Sequence, residues 1–87
     1  MSAIMTLHPY INGVETQLEV HGSTVGDCIA EAAKTYPVME SKLFAKPGKL
    51  KGYVEIYVNG MPTVPQELEY PVNDGDKINV LVYLAGG

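Results

Sequence analysis

The segment DGDKINVLVYLAGG, residues 74–87, combines a turn, an apolar strand and a pair of glycines. Asp, Asn and Gly favour tight turns, so a turn is predicted at residues 73–76. Residues 78–84 are almost continuously apolar, which is typical of a strand that is buried on both faces or paired centrally in a sheet. Because glycine has no Cβ, Gly86 and Gly87 would form a thin terminus that can enter a narrow active site. The ending therefore suggests that the chain offers its own terminal carboxylate as a reagent.

The length and composition limit the number of domains and the class of protein that this chain can form. A chain of 87 residues corresponds to one domain. Apolar residues make up 46% and charged residues 18%, which is the composition of a folded globular domain. The chain has no room for a separate catalytic domain, and it lacks a phosphate-binding glycine-rich loop or a nucleophile paired with a base, so it is predicted not to be an enzyme. A monomer is expected when the chain is free.

The charge balance excludes one class of partner. The chain has ten acids, six lysines and no arginine, for a net charge of −4. Nucleic-acid-binding proteins usually carry a basic surplus and use arginine for phosphate and base contacts, so no nucleic-acid partner is expected. The charge is uneven, because residues 41–53 contain four lysines and no acid. This basic stretch is predicted to be a solvated loop.

The remaining reactive side chains give little sign of a further site. His8 and His21 lack the companion ligands of a metal site, so no metal is predicted. Asp74 and Asp76 fall well short of a calcium loop and are explained by the turn that contains them. Cys28 lies on an apolar helix stripe, where a buried, inert thiol is expected.

The cellular location of the protein is predicted from the absence of secretion and membrane signals in the sequence. One cysteine cannot form an internal disulfide, and no secretion signal opens the chain. No apolar run approaches the roughly 20 residues needed to cross a bilayer, so no membrane partner is expected. A cytoplasmic protein is predicted.

The first half of the chain is predicted to form a hairpin and then a helix. Apolar residues before and after Asn12-Gly13 indicate two strands joined by a tight turn, with Pro9 near the end of the first strand. Thr24 is a good N-cap, and Pro37 ends the helix near Tyr36. Between them, one helical face carries the apolar side chains of Val25, Cys28, Ile29, Ala32, Ala33 and Tyr36.

The second half is predicted to be mainly β-structure. A short helix or turn over residues 38–44 precedes the basic loop, and residues 53–58 are a strong strand by their β-branched and aromatic content. Asn59-Gly60 indicates a tight turn into a short strand at residues 61–64. Residues 68–72 are predicted to be a loop or a single turn. Tyr53 and Tyr57 are expected to pack within or on the sheet.

These elements, the string from Asp74 to Ile78 and the terminal Ala85-Gly86-Gly87 resemble the MoaD/ThiS family of ubiquitin-like sulfur carriers. The resemblance implies an α+β, ubiquitin-like β-grasp fold, with a mixed four- to five-stranded sheet packed on one main helix. It divides the chain into a β-grasp domain, residues 1–84, and a flexible Gly-Gly tail, residues 85–87.

The resemblance also implies a chemistry centred on Gly87. A partner that resembles ubiquitin-activating enzymes would use ATP and Mg²⁺ to adenylate the Gly87 carboxylate, with Gly86 keeping the carbonyl unhindered. Sulfur from a persulfide or sulfide would displace AMP and leave a thiocarboxylate, which an acceptor enzyme would use in cofactor or amino-acid biosynthesis. The chain itself would bind no cofactor. The partner would grip the last strand and the tail through Val82, Tyr83, Leu84 and Ala85.

Three alternative functions are also compatible with the sequence. The chain could be the MoaD-like small subunit of molybdopterin synthase, with its tail inserted into a larger subunit. It could be a ubiquitin-like modifier that is joined through Gly87 to lysines of other proteins. It could also be a β-grasp interaction domain whose last glycines carry no chemistry.

Overall fold

A computed structural model describes residues 2–83 as a five-stranded mixed sheet with helices packed against it. The elements in chain order are β1 Ala3–Leu7, α1 Pro9–Asn12, β2 Thr16–Val20, α2 Val25–Thr35, α3 Val38–Leu43, β3 Phe44–Lys46, β4 Lys49–Leu50, β5 Val54–Val58, β6 Met61–Pro62, a 3₁₀ turn Glu67–Glu69 and β7 Lys77–Val82. The strand order across the sheet is β2-β1-β7-β5-β6, and β3 and β4 form a separate two-stranded sheet. This architecture confirms the predicted α+β, β-grasp fold class.

Strand β7 lies in the centre of the five-stranded sheet. It pairs in parallel with β1, where Met5 is opposite Ile78, and antiparallel with β5, where Ile56 is opposite Val80. Central pairing was one of the two predictions for this strand. The other is wrong, because Ile78, Val80 and Val82 are buried while the residues between them are only half-buried. The strand therefore has one core face and one outer face.

Helix α2 covers the inner face of the sheet, as the apolar spacing predicts. The hydroxyl of Thr24 accepts a hydrogen bond from the backbone N–H of Asp27 at 3.1 Å, which satisfies a donor in the first turn. Val25, Cys28, Ile29 and Ala32 are buried against the strands. The helix has 11 residues, and within residues 2–83 no helix is long and apolar enough to cross a membrane.

The connection within the N-terminal hairpin differs from the predicted tight turn. β1 and β2 pair antiparallel, but between them lies the one-turn helix α1. Gly13 ends that helix at φ 86°, a left-handed conformation that suits glycine. Asn12-Gly13 predicts a tight hairpin turn, whereas in the structure Gly13 is a helix C-cap, which needs the same positive φ.

The basic stretch is not a plain loop. Phe44 of β3 pairs with Leu50 of β4, and Gly48 makes the turn between the strands at φ 79°. The loop prediction is therefore wrong for these residues, because the two short strands carry few of the β-branched residues that signal a strand. The short helix predicted before this stretch is confirmed as α3, which buries Met39 and Leu43.

The remaining turns agree with the prediction. Asn59 and Gly60 have φ values of 53° and 81°, the positive angles of a tight hairpin turn. β6 is shorter than predicted and ends at Pro62. Of the strand predicted at residues 78–84, the structure shows β7 through Val82, and Leu84 lies outside the described residues.

Gly22 is required by the close approach of the chain to the start of α2. A Cβ at Gly22 would lie 2.6 Å from the Cβ of Asp27 and 2.8 Å from the backbone N of Cys28. We expect Gly22→Ala to lower the free energy of unfolding by about 1–3 kcal/mol, because backbone must move to relieve the overlap. Urea denaturation measures this loss. Gly52→Ala is the matched control, since a Cβ at Gly52 has no heavy atom within 4 Å; an equal loss in both variants would show that the overlap is not the cause.

Candidate functional site

The end of β7 is the candidate site, because it delivers the chain to the terminal glycines. Val82 pairs with Val54 of β5 and is only 7% exposed. One residue later, the backbone N–H of Tyr83 donates a hydrogen bond to the carbonyl of Tyr53 at 2.7 Å. The side chain of Tyr83 is 54% exposed. The ladder therefore holds the backbone as far as Tyr83, where the chain reaches the surface.

Two of the six predicted site residues lie within the described part of the chain. Val82 and Tyr83 were both predicted to contact a partner. The side chain of Val82 is packed in the core, and of the two only Tyr83 presents its side chain to solvent. Leu84, Ala85, Gly86 and Gly87 lie outside the described residues.

The outer face of the sheet carries a second tyrosine beside Tyr83. Hydrogen bonding to Tyr83 raises the pKa of Tyr57 above its ordinary value, and the charge of Tyr83 adds to the effect. Leu81 is half-buried on the same face. A partly apolar surface with two phenol groups therefore leads up to the last described residue.

Near this strand end lies a group that we call the tyrosine–lysine cluster: Tyr10, Lys42, Lys51 and Tyr53. The rings of Tyr10 and Tyr53 meet edge to face, with centroids 6.4 Å apart and an interplanar angle of 87°. The Nζ atom of Lys42 lies 4.2 Å from the centroid of the Tyr10 ring, and that of Lys51 lies 5.8 Å from the Tyr53 ring. Both distances are within the range of cation–π attraction.

The fold explains why these four residues meet. Strands β1 and β7 run in parallel, so their carboxyl ends lie at the same end of the sheet. Helix α1, which follows β1, therefore lies near the end of β7. The backbone N–H of Lys51 donates to the carbonyl of Leu43 at 2.8 Å, which joins the end of α3 to the segment before β5. Sequence reasoning found the lysines as a basic stretch but not the cluster, because Tyr10 is remote from them in the chain.

The lysines of the basic stretch are not neutralised within the described structure. Among residues 2–83 the ion pairs are those of His21 with Glu19 and Glu31, and neither involves a lysine. Lys42 and Lys51 thus place unpaired positive charge near the strand end, on a chain whose net charge is −4.

Comparison with known proteins identifies the family. The model of the ThiS family matches residues 7–87, which includes β7 and the final glycines. The chain belongs to the ThiS family. It is 31% identical over 84 residues to the sulfur carrier protein CysO of Mycobacterium tuberculosis (strain H37Rv), a match that covers 93% of this chain and 89% of CysO. The relative's name describes a carrier, in agreement with the prediction that this ThiS-family chain is not a catalyst.

Solved structures share the fold of this ThiS-family chain. A chain of the Amycolatopsis orientalis BexX/CysO complex is matched with a TM-score of 0.82 and 26% identity, over 98% of this chain and 99% of the matched chain. SAMP1 of Haloferax volcanii is matched with a TM-score of 0.79 and 24% identity, over all of both chains. The second likeness is one of fold alone.

The acidic turn of this ThiS-family chain is built from hydrogen bonds. The two carboxylate oxygens of Asp76 accept from the side-chain amide of Asn59 at 2.9 Å and from the backbone N–H of Asn73 at 2.7 Å. Asp74 accepts from the backbone N–H of Ser2 at 2.8 Å. These contacts confirm the structural explanation of the two aspartates. Among residues 2–83, no three His, Cys, Asp or Glu residues are grouped as metal ligands.

Removal of the Asp76 carboxylate should therefore cost stability. We expect Asp76→Ala to lower the free energy of unfolding by about 1–3 kcal/mol, since two donors lose their acceptor where β7 begins. The control is Asp74→Ala, whose one described contact is near the start of the chain and whose effect should stay within about 0.5 kcal/mol. Denaturant melts of the two variants give the comparison. If the two losses are the same, the Asp76 network does not hold the turn.

His21 is tied to α2 by Glu31. The carboxylate of Glu31 accepts from the backbone N–H of His21 at 2.6 Å and lies 2.9 Å from its Nδ1 atom. These hydrogen bonds, the backbone one first, lower the pKa of Glu31 below its ordinary value. His8 is also used in the fold, because its Nδ1 atom accepts from the backbone N–H of Tyr10 at 3.0 Å.

The lowered pKa of Glu31 makes its contribution to stability depend on pH. Because the folded state favours the ionised carboxylate, the contribution is present above the unfolded pKa of about 4.3 and is lost as the pH falls through the lower folded pKa. We expect wild type to lose more of its unfolding free energy than Glu31→Gln between about pH 5 and pH 3. Urea melts across this range measure the difference; parallel curves would contradict it.

Cys28 is a buried thiol, as predicted. It has no exposed surface, and burial raises the pKa of its thiol. The Sγ atom lies 3.6 Å from the carbonyl oxygen of Gly22, to which the S–H donates. The neutral thiol and its burial make this side chain unsuited to accept transferred sulfur.

Proposed function

We propose that this chain is a sulfur carrier whose Gly87 carboxylate is adenylated by a partner enzyme and then converted to a thiocarboxylate. The observation that carries the proposal is the family match, which extends through β7 to Gly87. A relative above 30% identity, matched over most of both chains, is named as a sulfur carrier. The fold supports a carrier role because the central strand brings the chain to the surface at Tyr83. The exposed side chain of Tyr83 and the half-buried Tyr57 and Leu81 form a surface there that a partner can contact.

The chemistry requires a reactive carbonyl that the chain does not activate by itself. The partner would transfer AMP from ATP, with Mg²⁺, to the Gly87 carboxylate and release pyrophosphate. Sulfide would then attack the acyl carbon, form a C–S bond and expel AMP. With a persulfide as donor, its terminal sulfur would attack the acyl carbon, expel AMP and leave an acyl disulfide. A second thiol would then attack the donor's own sulfur, form a disulfide with it and release the thiocarboxylate. Glycine at positions 86 and 87 leaves the approach to the acyl carbon free of side chains.

The described residues suggest how a partner would hold this carrier. Tyr83 is exposed, and Tyr57 and Leu81 continue its surface along the outer face of the sheet. Aromatic and aliphatic side chains of this size contribute about 1.5–3 kcal/mol each when they are fully buried. A partner enzyme that covers Tyr83 would therefore gain affinity at the point from which it takes the terminus.

The thiocarboxylate is tested by intact-mass spectrometry of the protein isolated from its own cells. Exchange of one oxygen for sulfur adds about 16 Da, as does oxidation of one of the four methionines, so tandem fragmentation must place the increment on Gly87. Alkylation with iodoacetamide under native conditions gives a second readout. Because the chain has one cysteine and it is fully buried, rapid labelling of the folded protein should occur at the terminus and not at Cys28.

Mass spectrometry, denaturing gels and the composition of the purified protein separate the alternative functions. If no loaded species forms when the activating enzyme, ATP and sulfide are supplied, the carrier proposal is wrong. A modifier would instead give adducts of Gly87 with lysines that survive denaturing gels. A small subunit of molybdopterin synthase would purify as a stable stoichiometric complex with its large subunit. An interaction domain without terminal chemistry would give none of these products.

A further inference from the structure

The tyrosine–lysine cluster is a positive surface that the carrier chemistry does not use. Residues 41–53 carry four lysines and no acid, whereas the rest of the chain carries ten acids and two lysines. The cluster holds two of these four lysines, Lys42 and Lys51, so it is a local positive charge on a protein whose net charge is −4. An acidic partner would be repelled by most of this surface and attracted by this region, so the charge distribution selects one orientation of approach.

The rings hold the two lysines of the cluster in place. Lys42 and Lys51 are half-buried, with their ammonium groups 4.2 Å and 5.8 Å from the centroids of the Tyr10 and Tyr53 rings. The two rings are themselves in contact. Lysine side chains lose considerable rotamer freedom when they are fixed on binding, and ordering them beforehand reduces that cost. The cluster is thus prepared for contact with anions.

The positive charges remain free to meet a carboxylate from another protein. No lysine takes part in the ion pairs found within residues 2–83. The aromatic rings attract the ammonium groups but do not neutralise them. A carboxylate that reached Lys42 or Lys51 would therefore displace no acid of the described structure.

The position of the cluster defines which partner would meet it. Tyr53 accepts the hydrogen bond from the backbone N–H of Tyr83, so the cluster adjoins the last described residue of the chain. A protein that takes the terminus must pass beside it. We infer that the tyrosine–lysine cluster docks an acidic segment of the enzyme that activates Gly87, an inference that rests on the proposed carrier function.

Binding of the activating enzyme of the same organism, measured by calorimetry without ATP, tests the inference. We expect the double variant Lys42→Glu/Lys51→Glu to bind at least about tenfold more weakly than wild type at about 50 mM salt. The difference should shrink at about 500 mM salt, where charges are screened over a few ångströms. The matched control is Lys34→Glu/Lys77→Glu, which makes the same change in net charge on α2 and at the start of β7 and should bind much more like wild type.

A second double variant guards against loss of structure. Lys42→Met/Lys51→Met keeps an apolar stem against each ring and removes only the charge, so it should fold and still lose affinity and salt dependence. Equal weakening by the cluster and control variants would overturn the inference, because net charge alone would explain both. Wild-type affinity in the cluster variants, or no binding by wild type, would also overturn it.

The inference and the proposed function can fail separately. If wild type is never loaded with sulfur at Gly87, the proposed function fails whatever the binding data show. If wild type is loaded and the cluster variants are loaded with an unchanged KM for the carrier, the function stands and the docking role of the cluster is wrong. A raised KM with an unchanged kcat at saturating carrier supports docking by the cluster.

Discussion

Deletion of Gly87 is expected to abolish the thiocarboxylate product while the protein keeps its fold. The deletion moves the terminal carboxylate to Gly86, one residue short of the position that the activating enzyme must reach. A displacement of reacting groups by even 1 Å can cost about 100-fold in rate, and one extended residue spans about 3.3 Å. Intact-mass spectrometry after incubation with the enzyme, ATP and sulfide should show no loaded species.

Thermal unfolding provides the companion measurement. The core strand ends with Val82 and the last hydrogen bond of the described ladder is donated by Tyr83, so the deletion removes no described contact. We expect the midpoint to shift by less than about 1 °C, in keeping with the small effect of surface changes away from packed contacts. Asp74→Ala alters the turn before β7, at the opposite end of that strand, and leaves the terminus intact, so it should load like wild type. Normal loading of the deletion variant would show that Gly87 is not the reacting residue.

Ile78→Ala is expected to produce the largest loss of stability, about 2–5 kcal/mol. Ile78 has no exposed surface and lies in the central strand, opposite Met5 of β1 and Val58 of β5. Truncation would leave a cavity in the middle of the core, and neighbours on two paired strands can collapse into it only in part. Urea denaturation gives the loss directly.

Leu81→Ala is the control on the same strand. Leu81 projects from the opposite face and is half-buried, so its truncation should cost clearly less than that of Ile78. The side chains of isoleucine and leucine are isomers, so both truncations remove the same atoms. The comparison therefore measures how the loss of stability differs between the buried and the outer face of β7. Similar losses would contradict the single-sided core. Loss of enzyme binding by Leu81→Ala, with little loss of stability, would instead place the outer face in the partner interface.

Local chemistry made part of the fold predictable from the sequence. The cap at Thr24, the apolar spacing along α2 and the proline after Tyr36 each depend on residues a few positions apart, and all three agree with the structure. The strand before Asn59-Gly60 and the turn itself were predictable for the same reason. The connection after Pro9 was not, because Asn-Gly favours positive φ both in a hairpin turn and at the end of a helix.

The candidate site was predictable only in part. The terminal motif identified Gly87 as the reacting residue, and that assignment remains a proposal. The sequence predicted that Val82 and Tyr83 both contact a partner, but which of them faces outward depends on the register of β7 with β1 and β5. The tyrosine–lysine cluster could not be predicted, since α1 and α3 bring its members together from distant parts of the chain.

The sequence by itself determined the main helix and the turn at residues 73–76, because each depends on neighbouring residues, and its resemblance to the MoaD/ThiS family implied the β-grasp class. Only the tertiary structure decided that Val82 belongs to the core and Tyr83 to the surface, and that Lys42 and Lys51 lie near the end of β7. Those facts depend on strand register and on contacts between remote residues. The burial of one face of β7 and the parallel pairing of β1 with β7 determine these facts. Neither the burial nor the pairing can be deduced from a single residue.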